Sequence, residues 1–147
     1  MLNIDDAVRK AIYDTTLQEG VPPTISELAA HVEIAESDAR VSLARLASAR
    51  VIVTQPGTGE LLMVPPFSAV PTPFVVHSAR HTSFANCVWD ALGVPVMMRQ
   101  RATVESACGC CGESMTIDAF PDQRPQGEGV VHFAVPARHW WDDIVFT

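Results

Sequence analysis

Basic residues are scarce in this chain. Its 147 residues hold 10 Lys or Arg against 17 Asp or Glu, a formal charge of −7. A protein that grips DNA through its phosphates presents a basic face, and this one would have to build that face against its own net field. DNA is therefore disfavoured as the main partner. No apolar run approaches the roughly 18 residues of a membrane span, so no membrane partner is expected. Met1-Leu-Asn-Ile-Asp-Asp has neither the basic nor the apolar region of a secretory signal, and the expected location is cytoplasmic. There is no internal repeat. The four cysteines are not spread out as in a secreted disulfide framework: Cys108, Cys110 and Cys111 fall within four residues, and Cys87 stands apart. Clustered cysteines in a cytosolic chain more often bind metal or carry redox chemistry.

Apolar residues are not scarce. At 48% of the chain they can fill one compact core or two small units that share one. Over residues 4–19 the apolar positions Ile4, Ala7, Val8, Ala11, Ile12 and Leu17 follow a helical period, and Gly20 is a natural stop. Thr24 or Ser26 can cap a short helix through Val32, and Ser37 opens a third helix with Ala39, Val41, Leu43 and Leu46. The segments 51–54 and 60–64 flank Gln55-Pro-Gly-Thr-Gly and read as a β-hairpin. Three helices followed by a hairpin is the order of a winged helix. Its third helix carries Arg40, Arg45 and Arg50, which read more readily as an ordinary solvated face than as DNA contacts.

Residues 64–74 form a Pro-rich, extended connector. Beyond it, residues 74–77 read as a short strand. Thr82 or Ser83 should cap a helix containing Cys87 and Asp90, which Gly93 and Pro95 should end. Residues 102–106 and 114–120 read as partner strands around the Cys108-Gly-Cys-Cys-Gly turn, and residues 130–135 as a third strand. Residues 136–144 begin as a turn or short helix. The expected fold is α+β, with a winged-helix-like three-helix unit (1–66) packed on a small mixed or antiparallel sheet unit (67–147) that holds the Cys87 helix.

Cys87 and Asp90 are the sharpest chemical signal. Residues at i and i+3 share one helix face, so a soft nucleophile and a proton carrier look into the same space. From spacing alone, a small buried Cys and a solvated Asp describe the pair better. The context adds more. Phe84-Ala-Asn-Cys-Val-Trp-Asp-Ala-Leu-Gly-Val-Pro resembles the catalytic-Cys helix of the organomercurial (alkylmercury) lyases. The resemblance runs on through Arg101-Ala-Thr-Val-Glu-Ser-Ala-Cys, the Cys-Gly-Glu turn, Val131-His-Phe-Ala-Val-Pro and Trp140-Trp-Asp-Asp-Ile. It implies protonolysis of a carbon–mercury bond, with Cys87 attacking mercury as thiolate and Asp90 relaying a proton to the departing carbon while helping to hold the metal. It implies no organic cofactor; Hg(II) is substrate and product. In the family a second cysteine further along the chain completes the grip on mercury, whereas this chain has none after Cys111.

The chemistry is consistent with those roles. Mercury is soft and prefers thiolate. Cys87 needs its thiolate stabilised, and a place about one turn into the helix gives partial help. Asp90 beside a thiolate should bind its proton more tightly. Arg80 and His81 are nearby cationic candidates that read more simply as exposed loop residues. Cys108, Cys110 and Cys111 could dock a soft metal, form a redox pair, stand in for the family's second thiol or hold Zn or Cu, although a zinc site would need His132 or His139 to come close. His132 reads as a core or interface histidine. Trp89, Trp140 and Trp141 should fill the core or rim a pocket, and Asp142 and Asp143 read as solvated surface. The partners implied are a small organometallic substrate and small thiols that accept the product; a homodimer is allowed. Two other readings stay open: a non-catalytic Hg, Cu or Zn binder that uses Cys87 and the 108–111 cluster, and a winged-helix regulator whose cysteines sense metal or oxidant.

Overall fold

The computed structural model describes residues 3–145. Helix α1 (Ile4–Glu19) buries Val8, Ala11, Ile12 and Thr16 along one stripe, as the apolar period requires. Gly20 stops it in the left-handed region (φ 82°) and returns its N–H to the Thr16 carbonyl at 2.8 Å. A Cβ at Gly20 would also sit 2.5 Å from His81 Nδ1, so only glycine fits both the turn and the close approach. Helix α2 (Ile25–Val32) starts at a full capping box in which Thr24 and Glu27 satisfy each other's backbone N–H groups. Helix α3 (Glu36–Ser48) follows, and the three helices close over Val8, Ile12, Ile25, Leu28, Leu43 and Val64.

The hairpin after α3 is shorter than its sequence suggests. Strand β1 (Val53–Thr54) pairs antiparallel with β2 (Leu61–Val64), while Val51 stays out of the ladder. Its N–H is already bound to the Leu46 carbonyl (3.0 Å), and Arg50 is left-handed (φ 59°), so residues 50–51 close the end of α3. The Pro-rich connector is also not simply extended chain. It turns at Pro65–Pro66 and contributes strand β3 (Phe67–Ser68), which lies between β2 and β5.

Strands β4 (Val75–Ser78), β5 (Thr82–Ala85), β6 (Ala102–Ala107) and β7 (Ser114–Ala119) complete a seven-stranded antiparallel sheet in the order β1-β2-β3-β5-β4-β6-β7. The architecture is therefore mixed α+β. Val75 of β4 stands opposite Phe84 of β5 on one side and Glu105 of β6 on the other, so these three residues form one row across the sheet. Helix α4 (Val88–Met98) packs on this part of the sheet and buries Ala91, Val94 and Pro95 over Phe67, Val76, Ala102 and Val104.

Three sequence expectations are corrected. Thr82 and Ser83 do not cap a helix; they belong to β5, because each pairs with β4 (Thr82 with His77, Ser83 with Val76). Gly93 and Pro95 do not end α4, which runs to Met98 and is closed by left-handed Arg99 (φ 53°). Pro95 forfeits one helix hydrogen bond, but Ala91, Val94, Pro95 and Met98 recur at i, i+3, i+4 and i+7 and all face the core. Residues 130–135 form no strand. Val130 is 93% exposed, and the chain there runs irregularly into a short 3-10 turn at Ala137–Asp142.

Candidate active site

Because β5 ends at Ala85, Cys87 is the N-cap of α4 and not a residue one turn inside it. Its extended backbone turns the sulfur back over the first turn, where the Asp90 N–H donates to Sγ at 3.4 Å. The Trp89 N–H also points at this sulfur. Two otherwise orphaned helix donors thus face the thiol, which is the position at which an anionic sulfur gains most from a helix. Burial works the other way and is the larger effect. It pushes the half-buried Cys87 thiol above its ordinary range, with the Asp90 charge adding to the shift and the two N–H groups opposing it. At neutral pH the resting sulfur carries its proton.

Asp90 is raised as well, and again the leading cause is burial. The expected direction holds, but the cause is desolvation and not repulsion by a neighbouring thiolate. The opposing influence comes from Asn86, whose Nδ2 donates to Asp90 Oδ2 at 3.0 Å and to the Phe67 carbonyl at 3.2 Å. One amide thereby ties the carboxylate to β3. Asn86 Oδ1 is buried and has no hydrogen-bond partner. Sequence reading passed over Asn86 as a positioning group; its signal was the four-residue spacing to Asp90, which puts the two side chains within reach of each other at the start of a helix. From the other side, Tyr13 of α1 lies within electrostatic range of Asp90 while its phenol donates to the Pro65 carbonyl at 3.1 Å.

An aromatic row leads away from the site. Trp89, two residues after Cys87, meets Phe133 edge-on at 5.9 Å, and Phe133 lies 5.2 Å from Trp140. None of the three tryptophans fills the core: Trp89 is 55% exposed, and Trp140 and Trp141 are half-buried. They rim the surface, and Arg50 sits over Trp141 at 5.6 Å. A shallow depression on α3, lined by Val41, Ala44, Arg45, Ser48 and Ala49, does not involve Cys87.

The other candidates do not join the pair. Arg80 and His81 precede β5, so a whole strand separates them from Cys87, and His81 Nε2 contacts the Leu17 carbonyl (3.1 Å). His132 is exposed in the irregular segment and is not a core residue. His139 contacts Asp142 at 2.9 Å; Asp142 and Asp143 are exposed. Cys108 sits at the end of β6, half-buried, with Cys110 and Cys111 exposed beside it; all four cysteines are free thiols. Hydrogen bonds from the Cys111 and Cys110 N–H groups hold the Cys108 thiol below its ordinary range. Among the described residues, no group of three His, Cys, Asp or Glu side chains is placed to hold a metal ion, so neither histidine completes a zinc site with this turn.

The family model described as alkylmercury lyase (MerB) matches residues 67–147, more than half of the chain. The chain belongs to the alkylmercury lyase family. The matched segment contains β3, Asn86, Cys87, Asp90 and the Cys108–Cys111 turn. Among solved structures, the fold is similar to that of the mercury-bound form of MerB2, with a TM-score of 0.60 and 19% sequence identity, covering 78% of this chain and 56% of that one. This chain thus spans little more than half the length of that lyase-family relative. A search among curated proteins gives no match. No helix in the described residues is long and apolar enough to cross a membrane.

Proposed function

We propose that the chain cleaves carbon–mercury bonds by protonolysis, with Cys87 as nucleophile and mercury ligand and Asp90 as proton relay. The observation that carries this reading is the pairing, within the family-matched segment, of a helix-capping thiol with a half-buried carboxyl whose affinity for a proton is raised by burial. The organomercurial R–Hg⁺ meets a protonated Cys87. Mercury's preference for thiolate displaces that proton, and Asp90, desolvated and close by, is the base suited to take it. The carbon must be protonated as it leaves mercury, and Asp90 returns the proton there. R–H departs, and Hg(II) remains between the Cys87 sulfur and the Asp90 carboxylate. Protons and charge balance with no organic cofactor. The exposed ring of Trp89 beside Cys87 supplies an apolar wall suited to an alkyl or aryl group.

The test is hydrocarbon release. The protein with phenylmercury or methylmercury should yield benzene or methane, and Cys87→Ala should abolish the yield while leaving the fold intact. Unchanged release from Cys87→Ala defeats the proposal. The second reading, a soft-metal binder that breaks no carbon bond, is favoured by the absence of any third ligand near Cys87 and Asp90 among the described residues. Tight Hg(II) binding without hydrocarbon would select it. The DNA-binding reading of the three-helix unit draws less support. Arg45 forms a bidentate pair with Asp5 (2.6 and 2.7 Å), Arg40 donates to the Thr58 carbonyl (2.8 Å) and Arg50 covers Trp141, so each is engaged within the chain.

A further inference from the structure

The Cys108-Gly-Cys-Cys-Gly turn takes no part in the chemistry derived so far. Its construction is specific. The β6–β7 ladder ends at Ala107 opposite Ser114, and Cys108 N–H then closes on the Glu113 carbonyl at 2.8 Å. The Gly112 N–H returns to the Cys108 carbonyl, also at 2.8 Å, with Gly112 left-handed (φ 73°). The chain is thereby drawn into one closed turn in which Cys108 and Cys111 stand three residues apart. Two free thiols thus share one turn at an exposed hairpin tip. A Cβ at Gly109 or Gly112 would meet nothing within 4 Å, so the approach is open.

Sheet register adds the second observation. Phe84 and Glu105 stand level across Val75, on strands running in the same direction. Cys87 and Cys108 each lie three residues beyond that row, so both leave the same end of the sheet. Only β4 separates their strands, which sets them roughly 10 Å apart at that level from two inter-strand spacings.

We propose that Cys108 and Cys111 form a dithiol site for a two-coordinate soft cation, placed to take Hg(II) from Cys87 and Asp90. The transfer part rests on the lyase reading; the binding part does not. Hg(II) held by the Cys87 thiolate and the Asp90 carboxylate moves to two thiolates. One of the two thiol protons passes to the Cys87 sulfur and the other is released to solvent, so charge and atoms balance and the pair returns to a protonated Cys87 and an ionised Asp90. Two soft donors satisfy Hg(II), whereas Zn(II) needs four, and no third ligand is at hand among the described residues. The dithiol would do within the chain what a small thiol would otherwise do from solution.

Binding is tested with inorganic Hg(II) alone. The full chain carrying Cys87→Ser is loaded with HgCl2, passed through a desalting column in 2-mercaptoethanol, and its mercury measured by mass spectrometry. Retention of about one ion per chain is expected. Adding Cys108→Ser and Cys111→Ser should lower retention at least ~ten-fold, and adding Cys110→Ser instead should not. The substitutions are at an exposed turn, and circular dichroism checks that the fold survives. Failure of the Cys87→Ser protein to retain Hg(II), dependence on Cys110 in place of Cys108 and Cys111, or equal retention of Zn(II) overturns the site. Transfer is tested with phenylmercury in the absence of added thiol. Replacing Cys108 and Cys111 with Ser should cut the ratio of second-turnover to first-turnover rate roughly ten-fold, with recovery on addition of excess 2-mercaptoethanol. An unchanged ratio overturns transfer. If the unaltered protein releases no benzene at all, the lyase reading fails and the Hg(II) measurement still decides the dithiol site.

Discussion

Replacing Asn86 with Ala should uncouple the carboxyl from its support in a way that depends on pH. Asn86 Nδ2 makes two bonds, one to Asp90 Oδ2 and one to the Phe67 carbonyl. A hydrogen bond to a charged group contributes about 1.5–3 kcal/mol net, and one to a neutral carbonyl about 0.5–1.5. Their joint loss at neutral pH should thus destabilise the fold by about 3 kcal/mol, lowering Tm by roughly 6–12 °C for a chain of this size. Burial lifts the Asp90 carboxyl above its ordinary range, so ionising it costs stability; the cost is absent at low pH and complete above the folded-state pKa. Asn86 opposes that shift, and its removal raises the carboxyl further. The destabilisation should therefore shrink to about 1 kcal/mol once Asp90 is protonated in both proteins, leaving only the neutral bond. The same change should move the acid limb of kcat/KM to higher pH, because Asp90 loses its capacity to take the Cys87 proton sooner. Urea unfolding at two pH values and a pH–rate profile make the measurement. An equal loss at both pH values with an unmoved acid limb would show that Asn86 does not hold the charge of Asp90.

Gly20→Ala should destabilise by about 2 kcal/mol in urea unfolding, since it combines a left-handed backbone with a Cβ 2.5 Å from His81 Nδ1. Phe67→Ala empties the largest fully buried side chain among the described residues and should cost about 3–5 kcal/mol by the same method. Asp5 is held down to about 2 from 3.8 by its bonds to Arg45 and Ser42, so its contribution is present above pH 4 and lost as pH falls towards 2. Asp5→Asn should accordingly lower stability at neutral pH, and the two unfolding curves should converge in strong acid; a constant gap would contradict the pairing.

The parts of the fold written locally were legible. Gly20 marks the end of α1, Thr24 with Glu27 marks the start of α2, and the Cys108–Gly112 turn lies between two runs that pair as β6 and β7. The parts decided by packing were not. Thr82-Ser-Phe-Ala carries cap residues, yet β3 and β4 on either side draw it into the sheet, which moves the start of α4 to Val88 and turns Cys87 from an interior residue into the cap. Pro95 punctuates strongly, but its apolar neighbours at helical spacing outweigh one lost hydrogen bond. Residues 130–135 have strand-like composition and find no partner strand; Phe133 instead packs on Trp89 and Trp140. At the site, the residue types of Cys87 and Asp90 were readable, whereas Asn86, Phe67 and Tyr13 become neighbours only through the sheet.

That sheet also limits how the chain can be divided. The family match begins at Phe67, but β3 is held on one side by β2 from before the boundary and on the other by β5 from beyond it. The carbonyl that steadies Asn86 belongs to Phe67, and the Tyr13 phenol is anchored on Pro65. A fragment starting at Phe67 would expose an unpaired strand edge directly behind the carboxyl. The lyase-like segment is therefore not a cassette that could be transplanted on its own; strand β2, from before the boundary, holds the strand on which the Asp90 carboxyl is steadied.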